Sequence, residues 1–483
     1  MTHRVSALVF TVALALTGVA SPPFAQVLTT QDDIGGVYEG TFRGGLQHGT
    51  GTYRLPNGYE YSGDWVDGEI KGLGIARFPN GSVYNGNFAK GRPEGKGIIT
   101  FSDGSTYEGD WVNGDINGTG VAIYASGVRY EGEFRNGRQH GKGTMQSPGG
   151  YEFSGDWVDG EKQGKGVITY PDGAVFSGDI VAGKLHGQGK LTQPDGLTYV
   201  GLWADGQING LGTLTQSNGD TYEGMFVAGR REGKGRVIYA SGDTYEGDFA
   251  DDRRDGQGVF TGVDGFVYEG SWVAGQIEGQ GRVTYPDKSV YEGQFRADQP
   301  DGKGKITYPD GRYFEGDWVA GVISGSGEAV YPNGLTYKGQ FRNAKFHGIG
   351  VMSYPGGYRY EGEWVDGMRQ GQGVASYEDG SVYTGQFAQN QRQGQGEIVM
   401  SDGFRYTGDW VAGVFSGQGV ASYANGDVYE GSFEDGKRQG QGSMRYATGE
   451  EASGDWQDGA LAGQGTGGTT GTTGGETTLP ASE

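Results

Sequence analysis

The stretch Tyr107-Glu108-Gly109-Asp110-Trp111, followed by Gly118-Thr119-Gly120, recurs along most of this chain. Counting from Tyr38 to Ala452 in steps of 23 residues gives nineteen copies without loss of register. A fixed period of this length is typical of repeat architectures, in which one supersecondary unit is stacked many times. An array of near-identical units is an extended surface, so the pattern favours binding or scaffolding over catalysis.

Each copy has the pattern of a β-hairpin. Aromatic residues and glycine alternate with acids over residues 107–111, and a period of two indicates a β-strand. Glycines over 114–118 predict a loop, and the alternation resumes over 120–124 for a second strand. The sequence therefore predicts an all-β fold, an elongated, twisted, single-layer antiparallel meander of about nineteen hairpin repeats.

The hairpins are joined by turns that contain Asp-Gly or Asn-Gly, often after proline. Pro171-Asp172-Gly173 is one example. These residues supply the preset and positive φ angles of tight hairpin turns. Lys288 occupies the glycine position in one copy, so that turn is expected to be strained or differently shaped.

One face of the predicted sheet collects the aromatic residues. A second aromatic or aliphatic set follows them on the same face, as at Phe101, Tyr170, Tyr285, Tyr308 and Tyr423. No segment with helical periodicity is present to cover this face, and exposed apolar strips mark interaction sites. The candidate interaction face comprises Tyr107, Trp111, Tyr130, Phe134, Tyr199, Trp203, Tyr268, Trp272, Trp318, Tyr360, Trp364 and Trp410.

Phe and Trp alternate at the last position of the motif, and the loops alternate with them. The loop after Phe tends to be basic, and the loop after Trp acidic or apolar. One hypothesis is a ladder that binds a repetitive polyanion; the simpler alternative is neutralisation of acidic neighbours and solubility. The candidate basic edge comprises Arg92, Arg138, Arg230, Arg231, Arg253, Arg254, Arg392, Lys437 and Arg438.

Composition excludes several classes of function. The net charge of -22 disfavours nucleic acid, whose phosphates require a basic surface. The absence of cysteine excludes disulfides and thiolate chemistry. Acids and Gly-x-Gly patterns recur in nearly every copy instead of marking one cleft, and the histidines are too far apart to share a metal. We therefore expect no enzymatic activity, no cofactor and no metal site.

The two ends differ from the repeats. Residues 1–25 have the basic start, apolar run and small residues of a signal peptide, cleaved after Ala20 or Ala25. Residues 26–37 form a leader segment, residues 38–465 the repeat array, and residues 466–483 a flexible tail rich in Gly and Thr. The protein is expected to be exported, to the periplasm or cell envelope of a bacterium or beyond it.

The motif Tyr-Glu-Gly-x-Trp/Phe at 23-residue spacing resembles the MORN repeat family (membrane occupation and recognition nexus). Residues 107–111 and 245–249 are close matches, whereas Ile180 and Ala452 depart from the motif. The resemblance implies a sheet of stacked β-hairpins and, in most members, a scaffold that holds partners or self-associates. Phospholipid binding is attributed to some members, and the kinase or methyltransferase domains fused to others have no counterpart here.

The leading hypothesis is a non-enzymatic exported scaffold that binds protein partners or a second copy. A polysaccharide or cell-wall binder is the first alternative, because rows of rings beside carboxylates can stack against and hydrogen-bond sugars. A binder of membrane lipid is the second.

Overall fold

The computed structural model describes residues 27–463, and these contain β-strands and turns throughout. The predicted signal peptide and the tail from 466 to 483 lie outside the described residues. No helix long and apolar enough to cross a membrane occurs in the described range. The chain divides into two compact units, and their described parts are residues 27–240 and 241–463.

The first unit is an open antiparallel sheet in which each strand pairs with its neighbours in the chain. Its strands are β1 (Val27–Gln31), β2 (Val37–Arg43), β3 (Leu46–Arg54), β4 (Glu60–Val66), β5 (Glu69–Arg77), β6 (Val83–Ala89), β7 (Arg92–Thr100), β8 (Thr106–Val112), β9 (Asp115–Ile123), β10 (Arg129–Arg135), β11 (Arg138–Gln146), β12 (Glu152–Val158), β13 (Glu161–Thr169), β14 (Val175–Val181), β15 (Lys184–Thr192), β16 (Thr198–Ala204), β17 (Gln207–Thr215), β18 (Thr221–Val227) and β19 (Arg230–Ile238).

The second unit repeats this arrangement. Its strands are β20 (Thr244–Ala250), β21 (Arg253–Thr261), β22 (Val267–Val273), β23 (Gln276–Thr284), β24 (Val290–Arg296), β25 (Gln299–Thr307), β26 (Tyr313–Val319), β27 (Val322–Val330), β28 (Thr336–Arg342), β29 (Lys345–Ser353), β30 (Arg359–Val365), β31 (Met368–Ser376), β32 (Val382–Ala388), β33 (Gln391–Val399), β34 (Arg405–Val411), β35 (Val414–Ser422), β36 (Val428–Glu434), β37 (Lys437–Arg445), β38 (Glu451–Gln457) and β39 (Ala460–Leu461). The predicted all-β hairpin repeat is confirmed.

The register aligns one glycine of each strand with a glycine of the next. Gly109 of β8 pairs with Gly120 of β9, which in turn pairs with Gly132 of β10. The same pairing continues on both sides, so a row of glycines crosses the strands in each unit. We call this row the glycine stripe. It is the part of the sheet where neighbouring backbones carry no side chains.

The predicted loop between Gly114 and Gly118 is wrong in its extent. The turn consists of Asn113 and Gly114 alone, with φ angles of 53° and 92°, and β9 begins at Asp115. Two successive positive φ angles are those of the hairpin turn whose twist matches that of the flanking strands. The N–H of Gly114 also donates to the carbonyl of Pro93 in the preceding repeat, at 2.9 Å.

Gly118 lies inside β9, at a β-bulge. Gly109 pairs with Gly120 but Trp111 pairs with Ile116, so Asp110 faces three residues of β9. The Asp110 carboxylate fills this irregularity by accepting the N–H of Thr119 at 2.9 Å. A bulge of this kind keeps the strand continuous while it shifts the register. The second glycine of the motif therefore belongs to a strand and not to a loop.

The turns between hairpins are longer than the predicted tight turns. The N–H of Phe101 donates to the carbonyl of Ser105 at 2.8 Å and closes a loop of five residues. Inside this loop, Gly104 donates to the carbonyl of Phe101 at 3.0 Å, and Asp103 accepts the N–H of Ser105 at 2.9 Å. The acid of the Asp-Gly pair therefore closes an Asx turn, which its short carboxylate side chain is suited to do.

The two ends of the array depart from the repeat. At the first end, Leu28 of β1 pairs with Gly40 and takes the place of a stripe glycine. At the other end, β39 has two residues, and Leu461 lies over Gly454, where a Cβ would meet it at 3.0 Å. Terminal units that deviate in this way are typical of repeat proteins, whose outer faces lack a neighbour.

Lys288 adopts the same turn as its glycine counterparts, with a φ of 69°. A left-handed conformation costs a residue with a side chain about 1–2 kcal/mol. Glycine removes this cost, but it also has greater conformational freedom in the unfolded chain, which offsets part of the stabilisation. We therefore expect Lys288→Gly to raise the free energy of unfolding by about 1 kcal/mol. The shift of the urea midpoint measures the change.

Gly311 is the matched control, because it occupies the same turn position one repeat later and has a φ of 89°. A Cβ at Gly311 would have nothing within 4 Å, so a side chain there meets no steric obstacle. We expect Gly311→Lys to lower the midpoint by a similar amount. Equal midpoints for both variants and the wild type would show that the turn conformation carries no strain.

Candidate interaction surfaces

The first aromatic ring of the motif lies flat against the glycine stripe in each of the first eighteen copies; it is a tyrosine except at Phe153, Phe176 and Phe314. A Cβ at Gly120 would lie 2.4 Å from Cε2 of Tyr107, and one at Gly109 would lie 2.4 Å from its hydroxyl oxygen. The Tyr107 hydroxyl crosses the stripe and donates to the carbonyl of Asp110 at 3.0 Å. The ring therefore occupies the space that two side chains would fill, and both stripe positions admit only glycine.

The rings also contact one another across the strands. Tyr107 lies between Trp111 and Phe134, with ring centroids 5.7 and 5.0 Å away and near-perpendicular planes. Trp111 also packs on Tyr84, at 5.0 Å, and its indole N–H donates to the carbonyl of Gly97. Edge-to-face pairs add about 0.5–1.5 kcal/mol each beyond the area they bury. The chain of contacts, which we call the ring ladder, is the core of each unit.

The twelve residues of the predicted interaction face belong to the ring ladder, and the structure buries all of them. Their exposed fractions run from 0% for Tyr130, Tyr199, Tyr268 and Tyr360 to 7% for Trp203 and Trp318. The expectation that this set offers an accessible surface is wrong, because the rings cover one another and the glycine stripe receives them. Their burial follows from the single layer itself and needs no covering partner.

A further position in each repeat covers the ladder from outside. It lies nine residues after the first aromatic residue of the motif and carries aliphatic, aromatic or basic side chains in most repeats, with glutamine at Gln47 and Gln139. Phe415 stacks on Tyr406 with ring centroids 4.2 Å apart, and the Arg254 guanidinium lies 4.0 Å above the Trp272 ring. Cation–π contacts of this kind contribute about 0.5–2 kcal/mol, depending on how much water they exclude.

The predicted basic edge divides into two sets. Arg92, Arg138, Arg230, Arg253 and Lys437 begin strands beside the two-residue turns and are exposed. Arg231, Arg254, Arg392 and Arg438 occupy the covering position and fold onto the rings. Arg392 is 3% exposed, and burial lowers the pKa of its guanidinium. The second set is therefore not part of a solvent-facing edge, because its long aliphatic stems and flat head groups pack on aromatic faces.

The opposite face of the sheet is mixed, because ion pairs stand beside exposed aliphatic side chains such as Leu211. Lys96 pairs with Asp110 at 2.7 Å and Lys303 with Asp317 at 2.5 Å, one pair for each of these repeats. Shallow grooves run along the backbone of the stripe; one of about 810 Å³ is walled by Ile98, Glu108 and Val121. The charges compensate one another across neighbouring strands, and exposed pairs of this kind contribute at most about 1 kcal/mol.

Three histidines contact an aspartate of the following repeat. Nδ1 of His48 lies 3.2 Å from the Asp67 carboxylate. At the equivalent positions, Nδ1 of His140 lies 3.6 Å from Asp159 and Nδ1 of His347 lies 3.8 Å from Asp366. Within residues 27–463, no group of three or more potential ligands could hold a metal ion.

A family model identifies the repeats independently. The MORN repeat model matches eighteen consecutive segments from 38–58 to 429–451. The chain belongs to the MORN-repeat family. The nineteenth copy, around Ala452, falls outside these matches, in agreement with its missing tyrosine and its two-residue last strand.

Solved structures share only a distant likeness with this MORN-repeat chain, and no curated protein matches it in sequence. The TCP10 domain of Danio rerio CPAP, in complex with a STIL peptide, is 18% identical with a TM-score of 0.27; the match covers 46% of this chain and 92% of that domain. The same domain without the peptide is 19% identical with a TM-score of 0.25, and the match covers 41% of this chain and 93% of that domain. A streptogramin B lyase is 12% identical with a TM-score of 0.11, and the match covers 62% of this chain and 92% of the lyase. Scores this low carry no argument about function.

Substitution of a stripe glycine tests the packing of the ladder. We expect Gly120→Ala to lower the free energy of unfolding by about 1–3 kcal/mol, the usual cost of overpacking a dense core. Hydrogen exchange of the amides of β8 and β9 measures the local loss. Gly149→Ala is the control, because a Cβ there has nothing within 4 Å, and it should leave exchange unchanged. Equal effects would contradict the proposed role of the stripe.

The ladder also predicts alkaline unfolding. Burial raises the pKa of Tyr84, Tyr107 and Tyr268 to about 12, whereas an unfolded tyrosine titrates near 10. Since burial disfavours the phenolate, the stability from these rings is complete below pH ~10 and is lost as the pH rises towards ~12. Tyrosinate absorbance and the β-sheet circular dichroism signal should change together in this range. Ionisation of the full set near pH 10 with an intact sheet would contradict the burial.

Proposed function

We propose that this chain is a non-enzymatic repeat scaffold that binds protein partners or further copies of itself. The observation that carries the proposal is the self-sufficient ring ladder. Because each ring is buried within its own layer, the sheet needs no second layer, and its turns remain available for contacts. Apolar side chains beside these turns reach solvent; Val319 is 57% exposed and Val322 is 42% exposed.

The site of action that we propose is the cell envelope of a bacterium. This part rests on the apolar segment at the N-terminus and its small residues before Gln26. N-terminal sequencing of the protein from fractionated cells tests it. A mature chain beginning near Ser21 or Gln26 in the periplasmic fraction supports export, and an intact Met1 in the cytoplasm contradicts it.

The experiment for the scaffold proposal uses residues 26–483, immobilised as bait for solubilised envelope proteins. We expect a stoichiometric protein to be retained, or the bait itself to form oligomers in light scattering. A matched variant with Val319→Asp and Val365→Asp alters two exposed tips, which lie at the same position two repeats apart. Retention that falls in this variant would place the partner at the tips.

Two further experiments with the same bait test the alternatives, polysaccharide binding and lipid binding. Co-sedimentation with sacculi, without any retained protein, would replace the proposal with polysaccharide binding. Flotation with anionic liposomes at low salt would replace it with lipid binding. A strictly monomeric bait that retains nothing in all three arms would contradict the scaffold proposal.

A further inference from the structure

Four consecutive repeats of the second unit carry tyrosine followed by proline at the start of the turn between hairpins. We call them the Tyr-Pro row: Tyr285, Tyr308, Tyr331 and Tyr354. These rings lie on the same face as the ring ladder, two residues beyond its aliphatic positions. Unlike the ladder they reach solvent: Tyr354 is 37% exposed, and the other three are half-buried.

The surroundings of the row hold the rings in place and leave part of each ring exposed. Phe266 packs on Tyr285 with centroids 6.2 Å apart, and Tyr358 packs on Tyr354 at 5.8 Å. The Arg312 guanidinium lies 4.2 Å from the Tyr308 centroid. Successive turns are also in contact, since a Cβ at Gly334 would lie 2.4 Å from Cγ of Pro355. The row is therefore a preorganised series of rings and not a set of independent loops.

The spacing of the row selects the conformation of a ligand. Each repeat contributes two strands, so successive rings are about 9.6 Å apart along the sheet. One turn of a polyproline II helix is about 9.3 Å, which accumulates a mismatch of only about 1 Å over the three steps of the row. Two turns of an α-helix span about 10.8 Å and accumulate about 3.6 Å. An extended strand repeats every ~6.7 Å and does not match.

The row has defined ends. The equivalent position before Tyr285 is Gly262, which has no ring. The position after Tyr354 is Tyr377, which is 9% exposed because Tyr358 packs on it at 5.5 Å. Four accessible rings correspond to four turns of polyproline II helix, or a segment of about twelve residues.

We propose that the Tyr-Pro row binds a basic, proline-rich segment of a partner protein in the polyproline II conformation, with one turn of the ligand on each tyrosine. Aromatic grooves recognise such segments because the ligand is already ordered before it binds. The net charge of -22 favours a basic ligand at long range, so binding should weaken with salt. The proposal rests on the scaffold function above and specifies the kind of partner.

The test measures binding of residues 26–483 to a Lys-Pro-Pro repeat peptide of about twelve residues by titration calorimetry. We expect Tyr331→Ala together with Tyr354→Ala to weaken binding at least tenfold, and Tyr354→Ala alone to weaken it measurably. Tyr446→Ala is the matched control, because Tyr446 holds the same repeat position and is also 37% exposed, yet lies outside the row. Circular dichroism checks that each variant is folded.

The register is tested on the peptide side. One alanine inserted at the middle of the peptide displaces its second half by about 3.1 Å and should weaken binding, whereas the same alanine at one end should not. No binding of the basic peptide, equal loss in the Tyr446 variant, or indifference to the central insertion would overturn the proposal. Binding of soluble cell-wall glycan in place of the peptide would also overturn it. A retained envelope protein that ignores the row variants would leave the scaffold function standing and remove only this site.

Discussion

The contact between a tyrosine ring and a pair of facing glycines is the constraint on which the rest of this structure depends. Tyr107 fills the space above Gly109 and Gly120, and its hydroxyl group reaches across them to the carbonyl of Asp110. Because the ring lies so close to the backbone, Trp111 of the same repeat and Phe134 of the next repeat can meet it edge-on. The 101 glycines of the chain therefore do more than permit turns: those of the stripe make room for a hydrophobic core within a single layer of strands.

The period of two within each copy and the period of 23 between copies were sufficient to predict the strands and their order, and the motif Tyr-Glu-Gly-x-Trp/Phe carried the resemblance to the family. The bulge at Gly118 was not predictable from alternation, since a glycine between two strands has the same sequence signature in a loop and in an irregular ladder. The burial of Tyr107 and Trp111 was missed for a related reason: without a second layer, an aromatic face was expected to remain exposed. The signal that could have corrected this was the glycine two residues after each tyrosine, which leaves space for the ring.

Arg392 illustrates a second limit of the sequence. Its charge and its place after a Phe repeat suggested a basic edge, but the covering position places it over Trp410, at 4.7 Å from the ring. The side chain at this position, nine residues after the motif tyrosine, covers the ring ladder whether it is Phe415, Ile277 or an arginine. By contrast, Tyr331 and Tyr354 stand where nothing covers them fully, and variation outside the ladder leaves the core unaffected. The array thus separates a core of closely similar composition from a surface that differs from repeat to repeat.

A double-mutant cycle between Tyr107 and Gly120 tests the central contact most directly. In the wild-type background Gly120→Ala introduces a methyl group into the space of the ring; in a Tyr107→Ala background the ring is absent and the methyl group has room. We expect alanine at 120 to be strongly destabilising in the first background and nearly neutral in the second, with a coupling energy of about 1–3 kcal/mol. The same cost in both backgrounds would show that the glycine is required for another reason, and that the ring ladder does not depend on the stripe.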